Sequence, residues 1–212
     1  MIWLEKAVDA LAFVYALLFF PAPFFWLIIH PAIHFWRRFG NRSFWVALPV
    51  WAAGAAGLSI LAPWLYARRV PRNLFTAVLG ALLVSAGWAI GRHVHRVFGL
   101  RRLGGLPEMN PSRYPGGVVR TGLYARVRHP RYLEYMISFL GWALLTGATG
   151  IFALAIITVL MYSIVASFEE RELREHYGEE YISYARAVPR FLPQWPDSLR
   201  WRRPPRSPDS GV

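Results

Sequence analysis

An all-α integral membrane helical bundle is the fold class this sequence predicts. It would have about five transmembrane helices and a C-terminal cytoplasmic amphipathic helical segment. Three observations lead there. Of 212 residues, 55% are hydrophobic and the mean hydropathy is +0.29, too apolar for an ordinary soluble domain. Apolar runs near the ~20 residues that cross a bilayer recur along the chain. The net charge of +12 sits almost wholly on arginine, Lys6 being the only lysine, in short clusters between those runs. Basic charge placed this way fits membrane topology and anionic headgroups, so membrane lipids rather than nucleic acid are the expected partners. Ten tryptophans fit interfacial belts. The absence of cysteine excludes disulfides, thiolate catalysis and Cys-ligated zinc.

The first apolar run, Ala7 to Ile29, is interrupted by Pro21 and Pro23. Glu5, Lys6 and Asp9 roughly cancel in charge before and within it, unlike the basic start of a cleaved signal peptide. It reads as a Pro-kinked membrane helix. The second run spans Phe44 to Tyr66, the third Leu74 to about Phe98. The fourth, Tyr132 to Thr146, and the fifth, Ile151 to Phe168, are separated only by Gly147 to Gly150. That connection suits a helical hairpin. With a rise of ~1.5 Å per residue each arm is roughly 25 Å long, so Pro130 and Glu169 return to about the same level.

Charge sets the expected orientation. The Arg-rich loop from Arg101 to Arg131 and the segment after Glu169 belong in the cytoplasm. Five spans then put the N-terminus outside and Arg37, Arg38 and Arg42 inside. Arg68, Arg69 and Arg72 fall outside, against the rule. The membrane would be a bacterial or archaeal inner membrane.

Beyond the fifth run, Leu173, Tyr177, Tyr181, Tyr184 and Val188 share a helical face. Glu170/Arg174 and Arg171/Glu175 can pair one turn apart, and Gly178 divides the segment into two shorter helices. Three units are expected: 1–100 with three spans, 101–193 with the loop, hairpin and amphipathic helices, and 194–212 as a disordered basic tail rich in Pro, Arg and Ser.

Chemistry concentrates at the base of the hairpin. Gly116 to Tyr132 reads GGVVRTGLYARVRHPRY. Gly116, Gly117 and Gly122 permit tight turns or close approach to a ligand. Pro130 stands where a helix begins, with Arg128 and His129 just before it. A helix N-terminus offers N–H groups and partial positive charge to a carboxylate. The plain alternative is a basic interfacial loop leading into a Pro-started helix. Glu169 and Glu170 sit where the fifth run leaves the membrane. Carboxylates at that depth are costly and often functional, although an exposed helix end paired with arginine explains them too. The hairpin brings Glu169 beside His129 and favours the functional reading. Glu134, one turn into the fourth run, pairs with Arg131 or Arg128 or lines a substrate pocket. His30, His34, His93 and His95 could suggest a metal, but His93 and His95 are two apart and do not share a helical face, the acidic residues are far away in sequence, and no metal site is expected.

With these residues in place, the chain resembles the isoprenylcysteine carboxyl methyltransferase family, and more distantly the membrane phospholipid N-methyltransferases. The resemblance runs from about Gly116 to Pro193. It rests on Gly122-Leu123-Tyr124, on Arg128-His129-Pro130-Arg131-Tyr132, on the hairpin, and on Glu169-Glu170. It continues through Leu173, Tyr177-Gly178, Glu180-Tyr181, Tyr184, Val188-Pro189-Arg190 and Leu192-Pro193. It implies a membrane methyltransferase whose donor, S-adenosyl-L-methionine, enters from the cytosol and whose lipid-borne or small hydrophobic acceptor arrives from the bilayer. The implied cofactor pocket falls on Gly116, Gly117, Val118, Val119, Tyr124, His129, Pro130, Arg131, Tyr132 and Glu169. A further polar contact falls near Met109 or Asn110.

Two departures stand out. Glu134 occupies a position that is often glycine in that family, and Val165 falls near an arginine that the eukaryotic enzymes use on the prenylcysteine carboxylate. If the acceptor is a carboxylate, Arg128 could orient it. If it is an amine, as in phosphatidylethanolamine, then Glu134, Glu170 or His129 would take up the proton. The remaining alternative is a non-catalytic membrane scaffold or transport accessory protein with the same fold.

Overall fold

Prolines and glycines divide the apolar sequence into its helices. The computed structural model describes residues 2–103 and 117–193. The expected tail 194–212, Gly116, Met109 and Asn110 lie outside the described residues. Helix α1 (Ile2–Phe19) breaks at Pro21, which has no N–H to continue the ladder, and resumes as α2 (Ala22–Ile29). A 3-10 turn at His30–Ala32 leads into the short α3 (Ile33–Arg37), and a second 3-10 segment, Gly40–Val46, opens α4 (Ala47–Leu65). Helix α5 covers Leu74–Leu103. The hairpin is α6 (Pro130–Thr146) and α7 (Thr149–Tyr177), and α8 (Glu179–Ala187) follows after Gly178.

Among the described residues, four helical stretches are long and apolar enough to cross a membrane: Trp3–Arg37, Gly40–Leu65, Leu74–Val97 and Thr149–Tyr177. The chain is thus an all-α integral membrane bundle. The fourth apolar run of the sequence forms α6, which at 17 residues is shorter than these four. It packs between α5 and α7, with Tyr135, Ser138, Phe139 and Ala143 buried. A helix sheltered by neighbours need not match the bilayer thickness by itself.

Close backbone approach holds α6 to α5. A Cβ added at Gly80 would meet the Gly141 carbonyl at 2.8 Å, and one added at Gly141 would meet the Gly80 carbonyl at 2.8 Å. One turn and more along, Gly87 leaves room for Ser138, and Gly91 for the carboxylate of Glu134. Lipid tails are as apolar as leucine, so membrane helices gain most from such tight packing over small residues. Gly141→Leu is therefore expected to lower stability by about 1–3 kcal/mol, at the upper end because its neighbours are backbone. Gly57→Ala, where an added Cβ meets nothing within 4 Å, should stay within about 0.5 kcal/mol of wild type. Thermal melts in detergent compare the two; equal losses would contradict this packing.

The end of the bundle away from the hairpin base explains the misplaced arginines. Gly147 closes α6 in the left-handed conformation (φ 66°), its N–H donating to the Ala143 carbonyl at 2.8 Å. The 67–73 turn pairs with this hairpin tip: Val70 N–H donates to Gly147 O at 2.9 Å, and Thr149 N–H to Arg68 O at 3.0 Å. Arg69 donates to the Thr146 carbonyl at 2.9 Å and Arg72 to the Leu145 carbonyl at 2.9 Å. Each also meets an acid of α1, Arg69 to Asp9 at 2.6 Å and Arg72 to Glu5 at 2.7 Å. Both arginines therefore cap the C-terminal carbonyls of α6 and are neutralised locally, so they weigh little as topology signals.

Candidate functional site

The opposite end of the bundle gathers the predicted residues. His129 caps α6 with φ −120° and ψ 63°, and Pro130 takes the first helical position. The strand-like approach to that cap is held by the segment after α8: Arg128 N–H donates to Pro189 O at 2.8 Å and His129 N–H to Arg190 O at 3.2 Å. Arg128, His129, Pro130, Tyr132, Glu169 and Glu170 thus meet at one level, from two stretches of sequence.

Glu170 is fully buried and is the hub. Its Oε1 accepts from Arg128 Nε at 3.0 Å and Arg190 Nε at 3.0 Å, and lies 3.1 Å from His129 Nε2. Its Oε2 accepts from Arg190 at 2.7 Å and from Arg174 at 3.3 Å. The remaining arm of Arg128 donates to the carbonyls of Ala185 and Val188 at the end of α8. One carboxylate therefore ties together the start of α6, the exit of α7 and the end of α8.

Glu169 is different. His129 Nδ1 lies 3.3 Å from Glu169 Oε2, near enough to pair charges. That oxygen is nevertheless buried with no aligned hydrogen-bond donor. The imidazole ring stacks almost flat on Tyr132 at 5.2 Å, and Tyr132 stacks on Tyr162 at 4.6 Å. Phe191 closes in at 5.9 Å from the ring of His129.

Burial alone would lower the affinity of His129 for a proton, but the carboxylates of Glu169 and Glu170, one on each ring nitrogen, outweigh it and raise the pKa. The two carboxylates thus favour the charged form of the ring. The consequence for stability has a definite sign. A group whose pKa is raised in the folded state stabilises fully below its unfolded value of about 6.5, and that stabilisation is lost as pH rises through the folded value. Melting temperature in detergent should fall over that interval, and His129→Gln should flatten the profile. A difference between the two proteins that does not vary with pH would refute the coupling.

Around this core, Val118 packs on Tyr181, Tyr184 and Val188, and the Tyr184 hydroxyl donates to the Tyr124 carbonyl at 2.8 Å. Gly117, Val118, Val119 and Tyr124 therefore border the same end of the bundle. Gly122 has φ 60°, and a Cβ there would meet His93 Nε2 at 2.5 Å. Glu134 is not brought to this cluster; its carboxylate abuts Gly91 on the α5 side of α6. Val165 is fully buried among Tyr132, Tyr135 and Tyr162.

The same end of the bundle also holds contacts that the sequence did not join. His30 Nδ1 lies 3.0 Å from Glu172 Oε2, and Arg37 donates to Glu172 Oε1. The first span is thereby fastened to α7 within one turn of Glu169. His30 sits 142 positions from Glu172, and nothing in local spacing could join them. Arg190 had a signal in the Val188-Pro189-Arg190 run, though not its partner.

Comparison with known proteins follows this geometry. The family described as phospholipid methyltransferase matches residues 75–180, half of the chain. A methanethiol S-methyltransferase of Pseudomonas deceptionensis is 32% identical over 98 residues, 46% of this chain and 36% of that protein. Methanethiol S-methyltransferase 2 of Bradyrhizobium diazoefficiens is 32% identical over 117 residues, 55% and 43%. Protein-S-isoprenylcysteine O-methyltransferase B of Arabidopsis thaliana is 29% identical over 77 residues, 36% and 39%. The matched stretch spans well under half the length of each of these relatives. No solved structure matches.

Proposed function

Because the chain belongs to the phospholipid methyltransferase family, we propose that it is an S-adenosyl-L-methionine-dependent methyltransferase acting on a lipid-borne acceptor that carries a carboxylate. The methyl-donor pocket would be lined by Gly116, Gly117, Val118, Val119, Tyr124, His129, Pro130, Tyr132 and Glu169. The observation that carries this reading is the carboxylate of Glu169, whose buried Oε2 faces His129 Nδ1 at 3.3 Å beside the start of α6. A carboxylate oxygen accepts more than one donor, so a ligand group can join His129 there. An ammonium, hydroxyl or sulfonium group of the donor would do so, and the N-terminal end of α6 beside it suits the donor's carboxylate. The fit of the residues to this cofactor is therefore chemical as well as positional. When bound, the donor supplies an electrophilic methyl carbon; the chain's own residues position it and exclude water.

The choice of acceptor follows from how the candidate bases among the described residues are engaged. An amine must lose a proton on methylation, and a base near the donor would take it up. His129 is engaged on both ring nitrogens by carboxylates that favour its charged form, and Glu170 is engaged by three arginines. Glu134 faces α5 instead. A carboxylate acceptor needs no such base. We assign His129 to orienting Glu169, and Arg128 and Glu170 to holding the cap of α6, rather than to proton transfer.

Isothermal titration of the detergent-purified protein with S-adenosyl-L-methionine tests the reading. Saturable binding is expected, followed by base-labile label in lipid extracts incubated with methyl-labelled donor. A folded protein with no measurable affinity for the donor would overturn it. Label found in an amine headgroup would overturn the acceptor assignment alone.

A further inference from the structure

A second feature lies at mid-depth in the bundle. Where Pro21 interrupts the first span, α4 and α7 do not close against it, leaving a cavity of about 440 Å³. Leu58 and Leu154 form its buried floor, Phe20 and Phe24 flank the break, and Gly54 and Gly57 line the α4 side. Every side chain around it is apolar. The volume falls in the range of small-molecule sites and is roughly three times that of an engineered 150 Å³ cavity that admits one benzene.

The walls of this cavity lead to the site. Helix α2 runs from Pro21 to His30, which meets Glu172, and α7 runs from Leu154 and Ile157 to Glu169 and Glu172. Ile157 lies 12 residues before Glu169, about 18 Å along the helix. A hydrocarbon core ~30 Å thick gives each leaflet a tail depth of ~15 Å. A tail whose headgroup sits at the level of Glu169 therefore ends at the depth of the cavity.

We propose that this cavity binds the end of a single long hydrocarbon tail belonging to the methyl acceptor, and so selects long-chain over short-chain acceptors. The proposal rests on the methyltransferase reading above, but binding of the tail does not require methyl transfer. Gly57 provides the test. An added Cβ there meets nothing within 4 Å, so Gly57→Phe and the smaller Gly57→Leu fill the cavity without displacing the helix.

A hexadecyl carboxylate bearing a terminal photoreactive diazirine, incubated with the full chain in lipid nanodiscs, is expected to label the peptides around Val50–Leu61 and Leu154–Ile157. Gly57→Phe should abolish that labelling, a hexyl analogue should not produce it, and Leu82→Phe on the lipid-facing side of α5 should leave it intact. In turnover assays with the same two tail lengths, Gly57→Phe should raise KM for the long acceptor by roughly ten- to hundredfold and leave the short one unchanged. Labelling spread evenly over all lipid-facing helices, or equal KM changes for both lengths in variants that melt like wild type, would overturn the proposal. Specific labelling without turnover of either carboxylate would uphold the tail site and count against the acceptor chemistry instead.

Discussion

Replacing Glu170 by glutamine should cost the protein a large part of its stability. Its carboxylate is fully buried and is the shared partner of Arg128, Arg174, Arg190 and His129. Removing one member of a buried pair leaves the other charge uncompensated, typically at a cost of about 3–5 kcal/mol. The lower part of that range applies here, because Arg174 and Arg190 retain contact with solvent at 49% and 34% side-chain exposure. Even so, a typical net stability of about 5–15 kcal/mol would be cut deeply. The cations should rank by burial. Arg128 is 12% exposed and also donates to two carbonyls at the end of α8, so Arg128→Ala should come close to Glu170→Gln. Arg174→Ala should cost under about 1 kcal/mol, as exposed pairs do. Melts in detergent read the series. Glu170→Gln melting within about 1 kcal/mol of wild type, or Arg174→Ala matching Arg128→Ala, would show that the hub does not hold the three segments together.

That network marks the boundary of what the sequence could convey. The pairing of Glu170 with Arg174 was readable, because one helical turn separates them. Arg128 and Arg190 lie 42 and 20 residues away from Glu170, and only the assembled hairpin and the return of the chain after α8 bring them in. The same limit hid His30 and Glu172. By contrast, the short Gly147–Gly150 connection made the meeting of His129 with Glu169 readable from helix rise alone. The arginines at 68, 69 and 72 stood out as a topology exception, but for two of them the reason is tertiary: Arg69 and Arg72 serve the C-terminal carbonyls of α6 and the acids of α1. The glycines of α5 were visible as letters in an apolar run. Which face they turn to α6 depends on a partner 43 to 61 positions downstream, Glu134 for Gly91 at the near end and Gly141 for Gly80 at the far end.

The sharpest division between structure and function is expected at the neighbouring carboxylate. Glu169→Gln keeps the size of the side chain and leaves the Glu170 hub intact, so the fold should survive with a modest shift in melting temperature. The loss should fall on the donor. A hydrogen bond or ion pair to a charged group contributes about 1.5–3 kcal/mol, and a factor of ten in affinity corresponds to about 1.4 kcal/mol. Affinity for S-adenosyl-L-methionine should therefore drop roughly ten- to hundredfold. S-adenosylhomocysteine, which lacks the sulfonium charge, separates two roles for Glu169. An equal loss for both ligands places the carboxylate on the shared ammonium or ribose hydroxyls, whereas a loss confined to the methyl donor places it against the sulfonium. Removing Glu169 also takes one of the two carboxylates from His129, so the variant's melting profile should lose part of its dependence on pH above about 6.5. Unchanged affinity for both ligands, in a protein that melts like wild type, would remove Glu169 from the donor pocket and leave it only its pairing with His129.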